Sequence, residues 1–460
     1  MFELFRKNKM SRESIAAMLH TSPELLEKFE RSYQEYSSPM RSDGIPFPVS
    51  GKEQECPQPS VLDPLVDRIV GELAVQTKVI SFGTNGKEEH TFISENKSFV
   101  GKDEVYAIPE ENRPQLTGRF IHKDIEGNSY PVLLEMYHKY LQERNPEKKK
   151  GFYNRFRQGL DILDLDGVMY RMLELNPNSM GFWLPAIFQA VADEGFFKVP
   201  ATKIMKVPLP ILQLTRQDFL SLTPATKNIV NRLCHMAFAL DDQKEYFIKT
   251  GTFSNKFDFR NAYIHGASEV QSMGEYFLYT HSYANSLAHY DLYGTRPVTY
   301  GVSTTNEWVV REFVPALSGC KQIYHGLPLR TEYRVFADFD SGEVIGISPY
   351  WEPKMMKNRF GNCSDSKEPD MVHDYITYSA AEPDLMKEYE QGKEEVIRHV
   401  SNFIRDTNLS GQWSVDIMQN GSDFWLIDMA LAENSALYGC VPEEKRRKTE
   451  ENWIPDLSKK

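Results

Sequence analysis

Residues 413–435 read WSVDIMQNGSDFWLIDMALAENS, and this stretch sets the kind of sheet expected in the C-terminal half of the chain. Apolar residues recur on both sides of the dipeptide Asn420-Gly421, a pattern typical of two antiparallel strands joined by a tight turn. Asp416 and Asp428 fall on opposite sides of that turn. The hairpin therefore predicts that the two carboxylates lie side by side and face the same way.

Two facing carboxylates repel each other unless a cation lies between them. Mg²⁺ is commonly bound by one or two protein carboxylates together with the phosphates of a substrate. Glu433 and Asn434 follow closely and are expected to complete the coordination shell. The predicted metal ligands are therefore Asp416, Asp428, Glu433 and Asn434.

Three further strand-like segments precede this hairpin, at residues 246–259, 308–316 and 329–351. In the first, Lys249 ends the apolar run YFIK and is well placed to reach phosphate oxygens. The next residues predict a loop, 250–257, that folds over the phosphates with small side chains and backbone N–H groups. The residues assigned to this loop are Gly251, Thr252, Ser254, Asn255 and, as a second positive charge, Lys256. The alternative is an exposed hairpin with solvated lysines.

The second segment, WVVREF, ends in Glu312, Phe313 and Val314. Backbone groups at such a strand end can bind the edge of an adenine, with an apolar side chain against the base. A buried strand that turns at Pro315 would give the same pattern without any ligand.

In the third segment, Arg330, Glu332 and Arg334 project from one face of a strand. An arginine on the inner face of a sheet is costly unless it is paired, and a phosphate is a common partner for the guanidinium fork. The alternative is a structural salt bridge between Glu332 and an arginine. The predicted catalytic residues are Arg334, Arg330 and Lys256.

Composition limits the function classes. The 460 residues, 41% hydrophobic, suggest more than one domain, and the formal net charge of -12 disfavours a polyanion as the main partner. The five cysteines form no CxxC pair, and no long apolar run suggests a signal or a membrane span. We therefore expect a cytoplasmic protein with no membrane partner. A nucleic-acid partner, suggested only by the basic and aromatic run at 148–157, is left open but not favoured.

Shifts in composition predict five regions. They are a helical hairpin with a Pro/Ser/Gly-rich linker (1–64), a mixed α/β N-terminal domain (65–178), a lead-in segment (179–245), a nucleotide-binding domain (246–445) and a charged tail (446–460).

Together these motifs resemble the ATP-grasp superfamily over residues 179–440, and EYRVF, ISPYW and WLIDM look most like its branch of eukaryotic cell-division-cycle proteins that assist assembly of a translation initiation factor. The resemblance implies an α+β fold whose antiparallel sheets sandwich a nucleotide, with ATP and Mg²⁺ as cofactors. It implies that Lys249 contacts the phosphates and that Glu312 to Val314 bind adenine. It also implies that Arg334 faces the γ-phosphate or an acyl phosphate.

The chain departs from the family pattern where an asparagine is expected two residues after the second acid, because Ala430 stands there. The family's earlier lysine also has only candidates here: Lys203, Lys206 and Lys227.

The leading functional prediction is an ADP-forming ligase. It would activate a carboxylate as an acyl phosphate for attack by an amine or another nucleophile. The sequence does not specify either substrate, and a protein or peptide is one option. One alternative is an ATP-binding assembly factor or chaperone for a protein partner. A second is an ATP-dependent enzyme that modifies nucleic acid.

Overall fold

The computed structural model describes residues 63–83, 86–92, 102–116, 138–149, 176–290, 304–361 and 369–447, with a few single residues outside these ranges. The predicted N-terminal hairpin and linker therefore lie almost wholly outside the described residues. The same holds for most of the predicted charged tail and for much of the basic run at 148–157.

The strands form two main sheets and a small hairpin. In chain order they are β1 (Lys78–Gly83), β2 (Gly86–Thr91), β3 (Phe197–Lys198), β4 (Thr202–Lys206), β5 (Glu245–Thr250), β6 (Tyr263–His265), β7 (Glu307–Glu312), β8 (Gln322–Ile323), β9 (Leu327–Pro328), β10 (Glu332–Asp338), β11 (Glu343–Pro349), β12 (Gln412–Asn420) and β13 (Asp423–Leu431). The six-stranded sheet is antiparallel throughout, in the order β2-β1-β4-β7-β5-β6. The five-stranded sheet has the order β11-β10-β12-β13-β3, and its only parallel pair among the described strands is β13 with β3.

Helices pack on both sheets. They are α1 (Asp63–Ala74), α2 (Lys102–Tyr106), α3 (Met180–Glu194), α4 (Leu209–Leu214), α5 (Pro224–Phe238), α6 (Gly266–Gln271), α7 (Met273–Tyr290), α8 (Pro353–Gly361) and α9 (Pro369–Phe403). The observed mixture of helices and largely antiparallel sheets is an α+β fold. No helix within the described ranges is long and apolar enough to cross a membrane.

The sequence predicts that an apolar helix ends at Gly195. Helix α3 does end there, because Gly195 adopts a left-handed conformation (φ +78°) and its N–H donates to the carbonyl of Val191. The sequence predicts a helix over about 383–407, but helix α9 begins at Pro369 and continues through Pro383. A proline is tolerated there at the cost of a backbone hydrogen bond, and this is why the sequence suggested a helix start instead.

The C-terminal hairpin confirms the predicted strand pairing. Asp416 in β12 lies directly opposite Asp428 in β13, and on its other side Asp416 pairs with Arg334 in β10. Gly421 occupies the first of two turn positions with φ +66°, where glycine is favoured. Three charged residues therefore form one row across three adjacent strands.

A continuous apolar core joins the sheets and helices. It includes Leu73 of α1, Trp183 of α3, Phe277 of α7, Trp308 of β7 and Val415 of β12, all buried. Strand β1, from the predicted 65–178 domain, pairs directly with β4, and β1 and β2 belong to the same sheet as β5 and β7. The sheet and the core thus run across the predicted boundaries at 179 and 246.

Candidate functional site

A cleft with a volume of about 170 Å³ lies between the two large sheets. Its lining contains five basic and four acidic side chains. The basic ones are Lys249, Lys256, Arg311, Arg330 and Arg334, and the acidic ones are Glu312, Glu332, Asp416 and Asp428. The structure therefore brings together, in one place, side chains from four sequence segments that the motifs singled out separately.

Two of the predicted metal ligands, Asp416 and Asp428, are each paired with a basic side chain. Arg334 binds Asp416 through two parallel hydrogen bonds, Nε to Oδ1 at 2.8 Å and Nη2 to Oδ2 at 2.7 Å. Lys249, only 2% exposed, donates from Nζ to both oxygens of Asp428, at 3.0 and 2.8 Å. Burial lowers the pKa of Arg334, but the nearby Asp416 carboxylate outweighs it and the pKa lies above its ordinary value. The facing carboxylates are thus neutralised by protein cations.

The other two predicted metal ligands lie outside the lining of this cleft. Asn434 accepts a hydrogen bond from Asn178 Nδ2 at 3.0 Å, and Glu433 is its neighbour in the short 3₁₀ turn Ala432–Asn434. Within the described part of the chain, no three His, Cys, Asp or Glu side chains come together as a metal cluster. Of the four predicted ligands, only Asp416 and Asp428 line the cleft, and they could hold a Mg²⁺ ion only if its remaining ligands came from phosphates and water.

Lys256 reaches across the cleft to the five-stranded sheet. Its Nζ donates to the Tyr350 hydroxyl and lies 3.8 Å from the centre of that ring. The Arg334 guanidinium lies 4.6 Å from the same ring centre, so Tyr350 holds two cations by its aromatic face. Burial lowers the pKa of Lys256, but Tyr350 and the Glu332 carboxylate outweigh it and leave the pKa raised. Lys256 therefore stays charged inside the cleft.

Arg330 and Glu332 are both buried, and each keeps one polar atom without a partner among the described residues. These atoms are Arg330 Nε and Glu332 Oε2. Arg330 uses its other nitrogens on Val314 O and Met418 Sδ. Burial raises the pKa of Glu332 to about 6 although the Lys256 ammonium opposes this. The alternative of a Glu332–arginine salt bridge is wrong, because the arginine that forms a carboxylate pair, Arg334, binds Asp416.

Arg311 is a cleft residue that the motifs did not identify. It extends from β7 of the six-stranded sheet, and its two Nη atoms donate to the carbonyls of Ile427 and Leu426 in β13 of the other sheet. Its Nε donates to Thr202 Oγ1 at 3.2 Å. Burial lowers its pKa to about 10. The signal in the sequence was an arginine that directly follows the apolar run Trp308-Val309-Val310 on the same strand.

The predicted adenine-binding residues lie at the apolar end of the cleft. Glu312, Phe313 and Val314 all belong to its lining. The Phe313 N–H, however, donates to Glu245 O at 2.8 Å, and the Glu312 carboxylate pairs with Lys244 Nζ at 3.0 Å. The rings of Phe247, Phe259 and Phe313 form an aromatic wall here, with centroid separations of 5.9 Å. Phe313 was predicted, whereas Phe247 and Phe259 were missed because they precede residues 312–314 by more than fifty positions.

The predicted phosphate loop is only partly placed against the cleft. Ser254 and Lys256 line it, but Thr252 does not. The N–H groups of Gly251, Thr252 and Phe253 already donate to Glu307 O and to Thr250 Oγ1. The expectation that residues 251 and 252 present free N–H groups to phosphates is therefore wrong, because the chain turns tightly on itself immediately after Lys249.

The three candidates for a second phosphate-binding lysine lie elsewhere. Lys203 donates to the carbonyls of Phe238 and Ala239 at the end of α5, on the sheet face opposite Lys249. Lys206 pairs with the buried Glu307 at 2.6 Å, and Lys227 lies 3.8 Å from Glu275. None of the three belongs to the cleft lining.

Comparison with known proteins gives a limited result. No protein-family model matches the chain, and no curated protein matches it. Among solved structures, C-terminally truncated Cdc123 from Schizosaccharomyces pombe is similar over 60% of this chain and 95% of its own, with 11% identity and a TM-score of 0.33. Cdc123 from the same organism is similar over 57% of this chain and 85% of its own, with 12% identity and a TM-score of 0.30. At these values the likeness carries no argument about family or function.

Proposed function

We propose that the cleft binds ATP together with Mg²⁺. The observation that carries this proposal is the charged row from Lys249 through Asp428 and Asp416 to Arg334, which lies between two sheets beside an aromatic wall. A metal–triphosphate complex carries both signs of charge, so it can replace the present ion pairs without leaving a buried charge unpaired. The adenine base of ATP is largely apolar and suits the end of the cleft that Phe247, Phe259 and Phe313 form.

Each group then has a defined part. Lys249, Lys256 and Arg334 neutralise the phosphates, while Asp416 and Asp428 hold the metal. Mg²⁺, when bound there, would neutralise part of the phosphate charge. Tyr350 keeps Lys256 and Arg334 in place through its ring and hydroxyl.

We further propose that bound ATP serves an assembly factor or chaperone, and sets the affinity of this chain for a protein partner. The metal site supports this choice, because Ala430 stands where an asparagine ligand is expected and Glu433 and Asn434 lie outside the cleft lining. Two carboxylates suffice to bind a metal–nucleotide complex, but they leave the second metal position of a phosphoryl-transfer site without a protein ligand.

Calorimetric titration tests nucleotide binding directly. We expect micromolar binding of ATP that requires Mg²⁺ and falls at least ten-fold in Lys249→Ala, which removes a buried phosphate-facing cation. Lys393→Ala, which removes a lysine from helix α9 outside the cleft, is the matched control and keeps full affinity. Failure of the unmodified protein to bind ATP with Mg²⁺ would reject the proposal.

The second candidate is the ATP-dependent ligase that joins a carboxylate to a nucleophile. It is favoured by one observation, the position of both Arg334 and Lys256 against the ring of Tyr350, where two cations would face a transferring phosphoryl group. ADP release measured with mixed pools of carboxylic acids and amines separates the candidates. Release that depends on an acid and an amine favours the ligase, whereas release or binding that changes only with a protein partner favours the assembly factor.

A further inference from the structure

Glu332 presents an unsatisfied buried acceptor to the cleft. The residue is 7% exposed, it belongs to the cleft lining, and its Oε2 atom has no hydrogen-bond partner in the part of the chain that the structure describes. An unpaired buried carboxylate oxygen is costly, and such groups in native proteins commonly meet a ligand or an ion. A cation is poorly suited here, because Lys256 and Arg330 already surround this carboxylate.

The position of Glu332 along the cleft restricts the ligand group that it can meet. On strand β10 and the two residues that precede it, alternate side chains point to the same face, about 7 Å apart. Arg330 lies at the apolar end, 5.6 Å from the centre of the Phe313 ring, and Arg334 lies at the charged end, against Asp416. Glu332 is therefore midway between the base end and the phosphate end.

The chemistry of a nucleotide then leaves one candidate group. Phosphates at neutral pH carry no donor and repel a carboxylate. The N–H groups of a base lie at the aromatic end, beside Arg330. Between the two parts is the ribose, whose hydroxyls are donors, and a carboxylate that accepts from a ribose hydroxyl is a common device in dinucleotide-binding folds.

We propose that Glu332 accepts a hydrogen bond from a ribose hydroxyl, and that it makes the cleft select ribonucleotides over deoxyribonucleotides. This inference rests on the proposed ATP-binding function and adds a specificity-determining residue to it. The 2′- and 3′-hydroxyls are both candidates for the donor, and the ligands of the test distinguish them.

Calorimetry with ATP, 2′-deoxyATP and 3′-deoxyATP, each with Mg²⁺, provides the test. The unmodified protein should bind ATP roughly ten-fold or more tightly than one of the deoxy compounds, since a hydrogen bond to a charged group has about this effect. In Glu332→Ala this preference should fall to about one. The preference, and not the affinity, is the readout, because removal of a negative charge beside the phosphates changes the affinity for all three ligands.

Two further variants make the result decisive. Glu332→Gln keeps the shape of the side chain and should reduce the preference for ATP several-fold. It tests the same role of Glu332 if the alanine variant does not fold. Glu343→Gln removes a carboxylate from the exposed side of the neighbouring strand β11, and it should keep the full preference.

The two proposals fail in different ways. Equal affinity of the unmodified protein for ATP and both deoxy compounds would overturn the role of Glu332 and leave ATP binding intact. A preference that persists in Glu332→Ala and Glu332→Gln would assign ribose recognition to another residue. Absence of any nucleotide binding would overturn both proposals.

Discussion

Among the individual residues of the cleft, the three central carboxylates differ in how their charge is balanced. Asp416 and Asp428 each form a direct ion pair, with Arg334 and Lys249. Glu332 has no direct ion pair among the described residues, and burial raises its pKa to about 6. Its charged form is therefore tolerated less well in the folded protein than in the unfolded chain.

This difference gives a pH dependence with a definite sign. The pKa of Glu332 rises from 4.5 to about 6 on folding, so the folded state binds more protons between these values. Stability therefore falls as pH rises through that window, and the loss is complete above it. We expect Glu332→Gln to be more stable than the unmodified protein at pH 7.5, by about 2 kcal/mol, and no more stable at pH 4.5.

Urea unfolding without nucleotide, followed at both pH values, measures this effect. Glu343→Gln lacks the buried position and should show no such pH-dependent gain. Equal or lower stability of Glu332→Gln at pH 7.5 would mean that neighbouring cations stabilise the charged form of Glu332 more than burial opposes it.

At the level of structural elements, the tight turn after β5 positions Lys249. Gly251 in this turn donates its N–H to Glu307 O and accepts at its carbonyl from the Met180 N–H at the start of α3. A Cβ atom at this glycine would lie 2.2 Å from Ser179 Oγ and 2.4 Å from Thr305 Oγ1. The turn is thus packed against the beginning of α3 with no space for a side chain.

Gly251→Ala should therefore lower the free energy of unfolding by about 1–3 kcal/mol, the usual range for overpacking. It should also weaken ATP binding, because a displaced turn moves Lys249. Gly439→Ala, where an added Cβ meets no atom within 4 Å, is the control. Thermal unfolding and calorimetry of both variants give the comparison, and unchanged stability of Gly251→Ala would show that the turn moves freely to make space.

This turn also shows why only part of the site could be predicted from the sequence. The pairing of Asp416 with Asp428 is local, since a hairpin turn sets it, and the strand position of Lys249 follows from its apolar neighbours. The ion pair between Lys249 and Asp428 joins residues in two different sheets, and no local pattern encodes that meeting. From the sequence, Gly251 indicated a phosphate loop. The residues that enclose it, Ser179 and Glu307, are distant in sequence, so the packing reason for this glycine could not be predicted.

In the molecule as a whole, the two large sheets are joined across the cleft by a few polar contacts. Arg311 is the most extensive of those described here, because it extends from one sheet and donates to two main-chain carbonyls in the other. Arg311 itself is buried, so a side chain that cannot make these hydrogen bonds would leave polar groups of a buried contact unsatisfied.

Arg311→Lys should therefore lower the free energy of unfolding by about 1–3 kcal/mol, because one ammonium cannot replace the guanidinium at three acceptors. Amide hydrogen exchange should become faster in strand β13 near Ile427. Arg398→Lys, at a position on α9 with 64% side-chain exposure, is the control and should change neither quantity. Unaltered exchange in β13 of Arg311→Lys would show that the apolar core alone holds the sheets together.

The ion pair between Lys249 and Asp428 also has a consequence for the order in which ligands can act. A phosphate that binds Lys249 leaves Asp428 without its cation, and a metal that binds Asp428 leaves Lys249 without its anion. Each ligand thus frees the group that the other requires, so metal and nucleotide are expected to bind cooperatively. By thermodynamic reciprocity each raises the affinity for the other by the same factor. The cleft would then respond to the product of the two concentrations, and free nucleotide or free metal alone would leave the ion pair between Lys249 and Asp428 in place.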